Sequence, residues 1–260
     1  MTATPPPDSE SALSEQSQWR VGLTATFLQA VGQEVGTDVL SPAALARAVV
    51  RVLPVDGAGT STLVGVLRLP LGSSSDAAAR AEEFQTTLGE GPCLGAAETQ
   101  ASLVADYDDL ARRWPLYTDQ LTAHTPFRSV AAVALRSPGH GVYAALDLYS
   151  TNPQLRDRLD LDAIDRQLAA PAAALLSTCL DEVYGDVAAP DAAPQWYQTA
   201  AGRRHHVWVA IGMLMGGRRP RRTSDALSLL RGQAFIQDRS LDDLAADVVT
   251  GRMSLDDFTH

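Results

Sequence analysis

The segment from Arg203 to Arg222 holds six arginines and no acidic residue, in a 260-residue chain whose net charge is -10. The six are Arg203, Arg204, Arg218, Arg219, Arg221 and Arg222. A guanidinium is a planar fork of donors that grips phosphate oxygens in pairs and stacks on flat bases. A basic stretch on an acidic chain therefore points to a polyanionic partner. The chain contains no lysine, so all 21 of its basic residues are arginine. They are unevenly spread. From Ala200 onward nine arginines face seven aspartates, leaving that part slightly positive and the rest strongly acidic. Such asymmetry indicates separate jobs for the two parts.

Few other residues offer chemistry. Cys93 follows Gly91-Pro92, where the start of a helix would lower a thiol pKa. With Trp114 it is a candidate for lining a ligand site. Cys93 and Cys179 are far apart, fit no metal spacing and make no disulfide framework. His205 and His206 are neighbours and do not face each other on a helix. Asp106, Asp108 and Asp109 read as helix capping and dipole complement. There is no Ser-His-Asp, Cys-His or phosphate-loop arrangement, and Gly57-Ala58-Gly59 lacks the rest of a dinucleotide fingerprint. The expectation is a non-enzyme with no cofactor and no metal site.

The elements that would position these residues can be read from periodicity. Trp19 to Val35 and Ser41 to Leu53 read as helices, the second opened by a Ser cap and a proline in its first turn. Gly57 to Leu71 alternates as a strand or hairpin arm. Asp76 to Leu88 is helical, Gly89 to Cys93 turns into a short helix, and Ser102 to Ala105 is a short strand. Asp108 to Ala123 is helical, with a new helix starting at Pro115. Phe127 to Arg136 and Gly141 to Ser150 are apolar strands joined by a tight turn. Asn152 to Tyr184 reads as one long helix, broken or kinked near Pro171. Three more helices follow, over Trp196 to Met215, Ser224 to Gln237 and Leu241 to Val249, with Ser240 and Asp243 as a capping pair. Each is too short to be stable alone, so they must pack together or on a partner. Met213 and Met215 read as core. Gly212 lies mid-helix, where glycine costs about 1 kcal/mol relative to alanine, which suggests close approach of another helix or of a partner's backbone.

The fold class expected is α+β: an antiparallel sheet flanked by helices, followed by an all-α unit. Residues 1–18, rich in Pro, Ser and Glu, read as a disordered lead-in without a signal peptide, which implies the cytoplasm. Residues 19–184 form the mixed domain, 185–195 the linker, 196–250 the helical domain and 251–260 a tail. No apolar run is long enough for a membrane span.

Two stretches resemble known families. Arg204, Val207, Ala210, Gly212, Leu214 and Met215, then Ala226, Leu227, Leu230 and Arg231, then Leu241, Leu244 and Ala245, keep the spacing of an ANTAR domain over about 50 residues. The pattern is departed from at Ile211, usually basic in the family, and at Asp238, often Asn. The upstream region resembles a GAF domain of the type that precedes ANTAR in actinobacterial regulators. It does so through Phe84 to Cys93, Asp106 to Pro115 and Arg128-Ser129-Val130. The resemblance implies a dimeric transcription antiterminator that binds RNA hairpins under control of a GAF-like sensor. It implies RNA contacts from Arg203, Arg204, Ala210, Gly212, Arg218, Arg219, Arg221, Arg222 and Arg231. It also allows a small-molecule ligand for the GAF-like domain, and a homodimer seam along Asn152 to Tyr184. The alternative is a dimeric signalling or protein-interaction module that has lost RNA binding.

Overall fold

The computed structural model describes residues 22–36, 39–64, 67–137, 141–184, 194–216, 220 and 222–258. The expected lead-in, most of the linker, the turn between the two apolar strands and Arg218, Arg219 and Arg221 lie outside the described residues.

A five-stranded antiparallel sheet organises the first part, in the order β2-β1-β5-β4-β3. The strands are β1 (Gly57–Val64), β2 (Leu67–Ser73), β3 (Leu103–Ala105), β4 (Ser129–Ser137) and β5 (Gly141–Ser150). The run from Gly57 to Leu71 is thus two strands, paired antiparallel with a register shift between Thr60 and Ser61.

Strand alternation sends successive side chains to opposite faces. Ala131, Val133, Leu135, Ala144, Leu146 and Leu148 share a buried core with α1 (Leu23–Val35) and α2 (Pro42–Val52). Their neighbours Val130, Ala132, Ala145 and Tyr149 belong to cores on the other face. That second face is covered by α3 (Asp76–Leu88), α4 (Pro92–Thr99), α5 (Tyr107–Arg113) and α6 (Pro115–His124). Local signals set these boundaries. Ser41 and Ser75 accept from the backbone N–H groups of Ala44 and Ala78 at the starts of α2 and α3. Gly89, at φ 71°, ends α3 in a left-handed conformation suited to glycine.

The long helix expected over Asn152 to Tyr184 is not formed. Residues 152–160 instead fold back onto the start of α5. The Tyr107 N–H donates to the Pro153 carbonyl, the Arg156 N–H donates to Asp106 Oδ1, and Leu155 is fully buried. Two helices follow, α7 (Leu161–Gln167), capped by Asp160, and α8 (Ala169–Tyr184). A break falls near Pro171, as expected, but at buried Leu168; Pro171 itself sits in the first turn of α8, where a missing N–H costs little. The inward face of α8 (Ala172, Leu176, Cys179 and Leu180) belongs to the sheet core.

The last part is three helices: α9 (Gln195–Gly216), α10 (Thr223–Ile236) and α11 (Leu241–Val249). They share a core built on Val207, Ile211, Leu214, Leu227, Leu230 and Leu244. Met253 and Phe258, beyond α11, close it. Ser240 caps α11 by accepting from the Asp243 N–H. Among the described residues no helix is long and apolar enough to cross a membrane.

Candidate functional site

Beneath α3, on the second face of the sheet, lies a fully buried polar network. Arg68 of β2 donates from Nη1 to the Glu82 carbonyl at 2.9 Å and from Nη2 to Asp147 Oδ2 at 2.7 Å. The same Nη2 pairs with the Glu82 carboxylate. Gln85 Nε2 donates to Asp147 Oδ2 at 2.8 Å and contacts the Tyr149 hydroxyl at 3.2 Å. Tyr149 donates its hydroxyl to Glu82 Oε1. Gln85 Oε1 accepts from the Cys93 N–H at 3.0 Å, tying the start of α4 to the same group. Two carboxylates therefore face one guanidinium, away from water. Burial on this scale is tolerated only with dense pairing.

Three buried polar atoms of this cluster have no hydrogen-bond partner among the described residues: Arg68 Nε, Asp147 Oδ1 and the Tyr117 hydroxyl oxygen. Burial, and after it the repulsion of Glu82, holds the Asp147 carboxyl well above the usual carboxylate range, against the pull of Arg68. Burial likewise pushes the Tyr117 and Tyr149 hydroxyls up. Cys93 is buried, as lone cysteines usually are, and the lowering that a helix start would give its thiol pKa is reversed. Its surroundings are dry, and burial raises it despite the nearby Arg68. Trp114, 8% exposed, packs its ring edge over Gly95, and the Arg113 guanidinium covers the ring at 4.2 Å.

The sequence reading missed this network, although a signal was there. Arg68 within Leu67-Arg68-Leu69 and Asp147 within Ala144-Ala145-Leu146-Asp147-Leu148 put a charge in the middle of an apolar strand. A charge at such a position is buried only if paired.

The residues expected to meet RNA are dispersed. Ala210 and Ile211 are inside the helical core, at 0% and 3% exposure, so the apolar side chain at Ile211 serves packing. Arg204 is 6% exposed and pairs with Asp242 of α11 at 3.2 Å. Gly212 is exposed, and beyond its own stretch of helix a Cβ there would meet no atom of the described residues within 4 Å. Arg222 is exposed and directly precedes α10. The structure describes the backbone of Arg203 within α9. Asp238 takes a left-handed backbone, φ 51°, just after α10, a conformation Asn and Asp tolerate. Met213 is partly buried against the core, but Met215 is exposed and lies with Trp208 and Gly212 along one outer stripe of α9.

Arg231 faces the first part of the chain. Its Nε donates to the Thr86 carbonyl of α3 at 3.1 Å. Beside it the Leu241 N–H donates to Thr87 Oγ1 at 3.1 Å. Leu67 of β2, 1% exposed, is buried within the core of the three helices. The two parts therefore meet along β2 and the last turn of α3. The seam is incomplete. A groove of about 510 Å³ opens beside it, lined among others by Arg80, Glu83, Trp196 and Asp242.

No family model matches this chain, and no curated protein does. Among solved structures it is similar to a type II free methionine-R-sulfoxide reductase from Thermoplasma acidophilum, at 16% identity and TM-score 0.37. That match covers 59% of this chain and 95% of the other. It is also similar to the GAF domain of a sensor histidine kinase from Pseudomonas syringae pv. tomato, at 18% identity and TM-score 0.38, covering 64% of this chain and 92% of that one. Likenesses this distant carry no functional argument.

Proposed function

We propose that this chain is a two-part regulator. In this reading its α/β part is a GAF-like sensor, and its three C-terminal helices form an ANTAR-like module that binds RNA hairpins and so opposes transcription termination. The observation that carries the reading is the acid-free run of six arginines from Arg203 to Arg222. Arg203 and Arg204 of that run lie in α9, in a unit whose apolar core is built chiefly by its three helices. Sequence-specific RNA readers act mostly on loops, whose unstacked bases are open to flat cations and aromatic rings. Holding one RNA structure excludes a competing terminator stem, so the effect is a population shift and needs no catalysis. The buried, proton-retaining Cys93 thiol fits a protein without a nucleophile at this site.

The test is crosslinking of the tagged chain to RNA in its own cells, followed by sequencing. Enrichment of leader transcripts with hairpins upstream of terminators is expected. No enrichment over a control protein would leave the second reading, a dimeric signalling or protein-interaction module. What favours that reading is the engagement of Arg204 with Asp242 and of Arg231 with α3, together with exposed Trp208, Phe235 and Ile236 on the helical part.

A further inference from the structure

Helix α3 holds two sets of partners within two turns. Glu82 and Gln85 point into the buried network with Arg68, Asp147 and Tyr149. The very next residues, Thr86 and Thr87, hold the helical module through Arg231 and Leu241. The network and the module contact thus share one stretch of α3.

The grip on Arg231 is unusual in its chemistry. The guanidinium is half-buried against α3, and the group it meets there is a neutral carbonyl. Among the described residues no carboxylate lies within ion-pair distance of it. Burial, with Arg204 adding repulsion, lowers its pKa to about 10. Gly89 leaves the room it occupies, since a Cβ there would sit 2.5 Å from the guanidinium. A cation desolvated without a counterion is poised for an anion to claim it. An RNA phosphate would supply the charge that the carbonyl lacks.

We propose that the contact of Arg231 and Leu241 with Thr86 and Thr87 is an autoinhibitory latch: docked on α3, the helical module withholds Arg231 from RNA, and undocking releases it to a phosphate. This rests on the RNA-binding reading. Among the described residues the contact is held by two hydrogen bonds, the Leu67 side chain, Trp196 against the sheet core and the packing of α9 on β2 and of α10 on α3, and an open groove runs beside it.

The experiment measures amide hydrogen exchange and hairpin binding on the full chain, using RNA hairpins of randomised loop sequence as the probe. Thr87→Val removes the acceptor for Leu241 while keeping the side-chain shape. Leu67→Ala removes the apolar plug from a different element and serves if the first variant perturbs the sheet. The latch predicts faster exchange in α10 and α11, unchanged exchange in β4 and β5, and several-fold tighter hairpin binding. Arg231→Gln added to the undocked variant should abolish that gain. Faster exchange with unchanged or weaker hairpin binding overturns the proposal, as does unchanged exchange in both variants. Hairpin binding absent from every variant, including one that exchange shows to be undocked, overturns the RNA reading and the masking role with it. Binding by the unmodified chain with no gain on undocking overturns the latch alone.

Discussion

Glu82 lies across β1 at Gly59, where the strand has no side chain. A Cβ at Gly59 would overlap Glu82 Oε1. The glycine therefore makes room for the carboxylate that pairs with Arg68, and Gly59→Ala should push α3 off the sheet. The expected cost is about 1–3 kcal/mol, the range for overpacking a closed core. Urea unfolding would measure it, and a variant as stable as the parent would show that Glu82 has somewhere else to go.

Arg68 is the cation of the buried network, facing two carboxylates. Replacing it with methionine leaves both buried without their partner. A destabilisation of about 3–5 kcal/mol is expected, as for breaking one side of a buried pair. Chemical denaturation again reads this, and an effect below about 1 kcal/mol would mean that water already reaches the site.

Asp147 gives the network a pH dependence with a definite sign. Its folded pKa is raised, by burial first and by Glu82 second, so the native chain keeps a proton that the unfolded chain releases. Stability from this group is full below the unfolded carboxylate pKa and is lost as pH rises toward the raised folded value. Asp147→Asn keeps an acceptor oxygen for Arg68 and Gln85 and cannot ionise. It should flatten the decline in stability as pH rises above the unfolded carboxylate pKa. An equally steep decline in the variant would assign the dependence to another group.

Cys93 should resist modification. The thiol is 1% exposed and burial raises its pKa. Alkylation by iodoacetamide at neutral pH is expected only at the rate of opening, far below that of the denatured chain. Rapid labelling in the native state would restore it as a reactive residue.

The arginines at 218, 219, 221 and 222 are expected to act through charge. In the Arg218/Arg219/Arg221/Arg222→Ala variant, the slope of log affinity against log salt for a hairpin RNA should become shallower, by about 0.7–0.9 for each phosphate that is no longer neutralised. An unchanged slope with unchanged affinity would make this segment a solvated connection.

How much of the fold was legible in the chain varies with the range of the interaction. Helix α3, capped by Ser75 and ended by Gly89, and helix α11, capped by Ser240, follow from residues a few positions apart. So do the β4–β5 pair and the start of a new helix at Pro115. The helix expected through Asn152 to Tyr184 failed because its first residues bond to Asp106 and Tyr107, about fifty positions away, through interactions that no local period reports.

The same divide separates the two candidate sites. The sequence by itself determined the basic segment, because charge is a property of residue type and needs no neighbour. It also determined the apolar stripes of the last three helices, whose period is built into a 3.6-residue turn. Only the tertiary structure decided that Arg68, Glu82 and Asp147 meet, and that Arg231 is held by Thr86. Each depends on which faces two distant elements present to each other. That geometry is set by the packing of the whole core, where apolar area leaves water without regard to sequence distance.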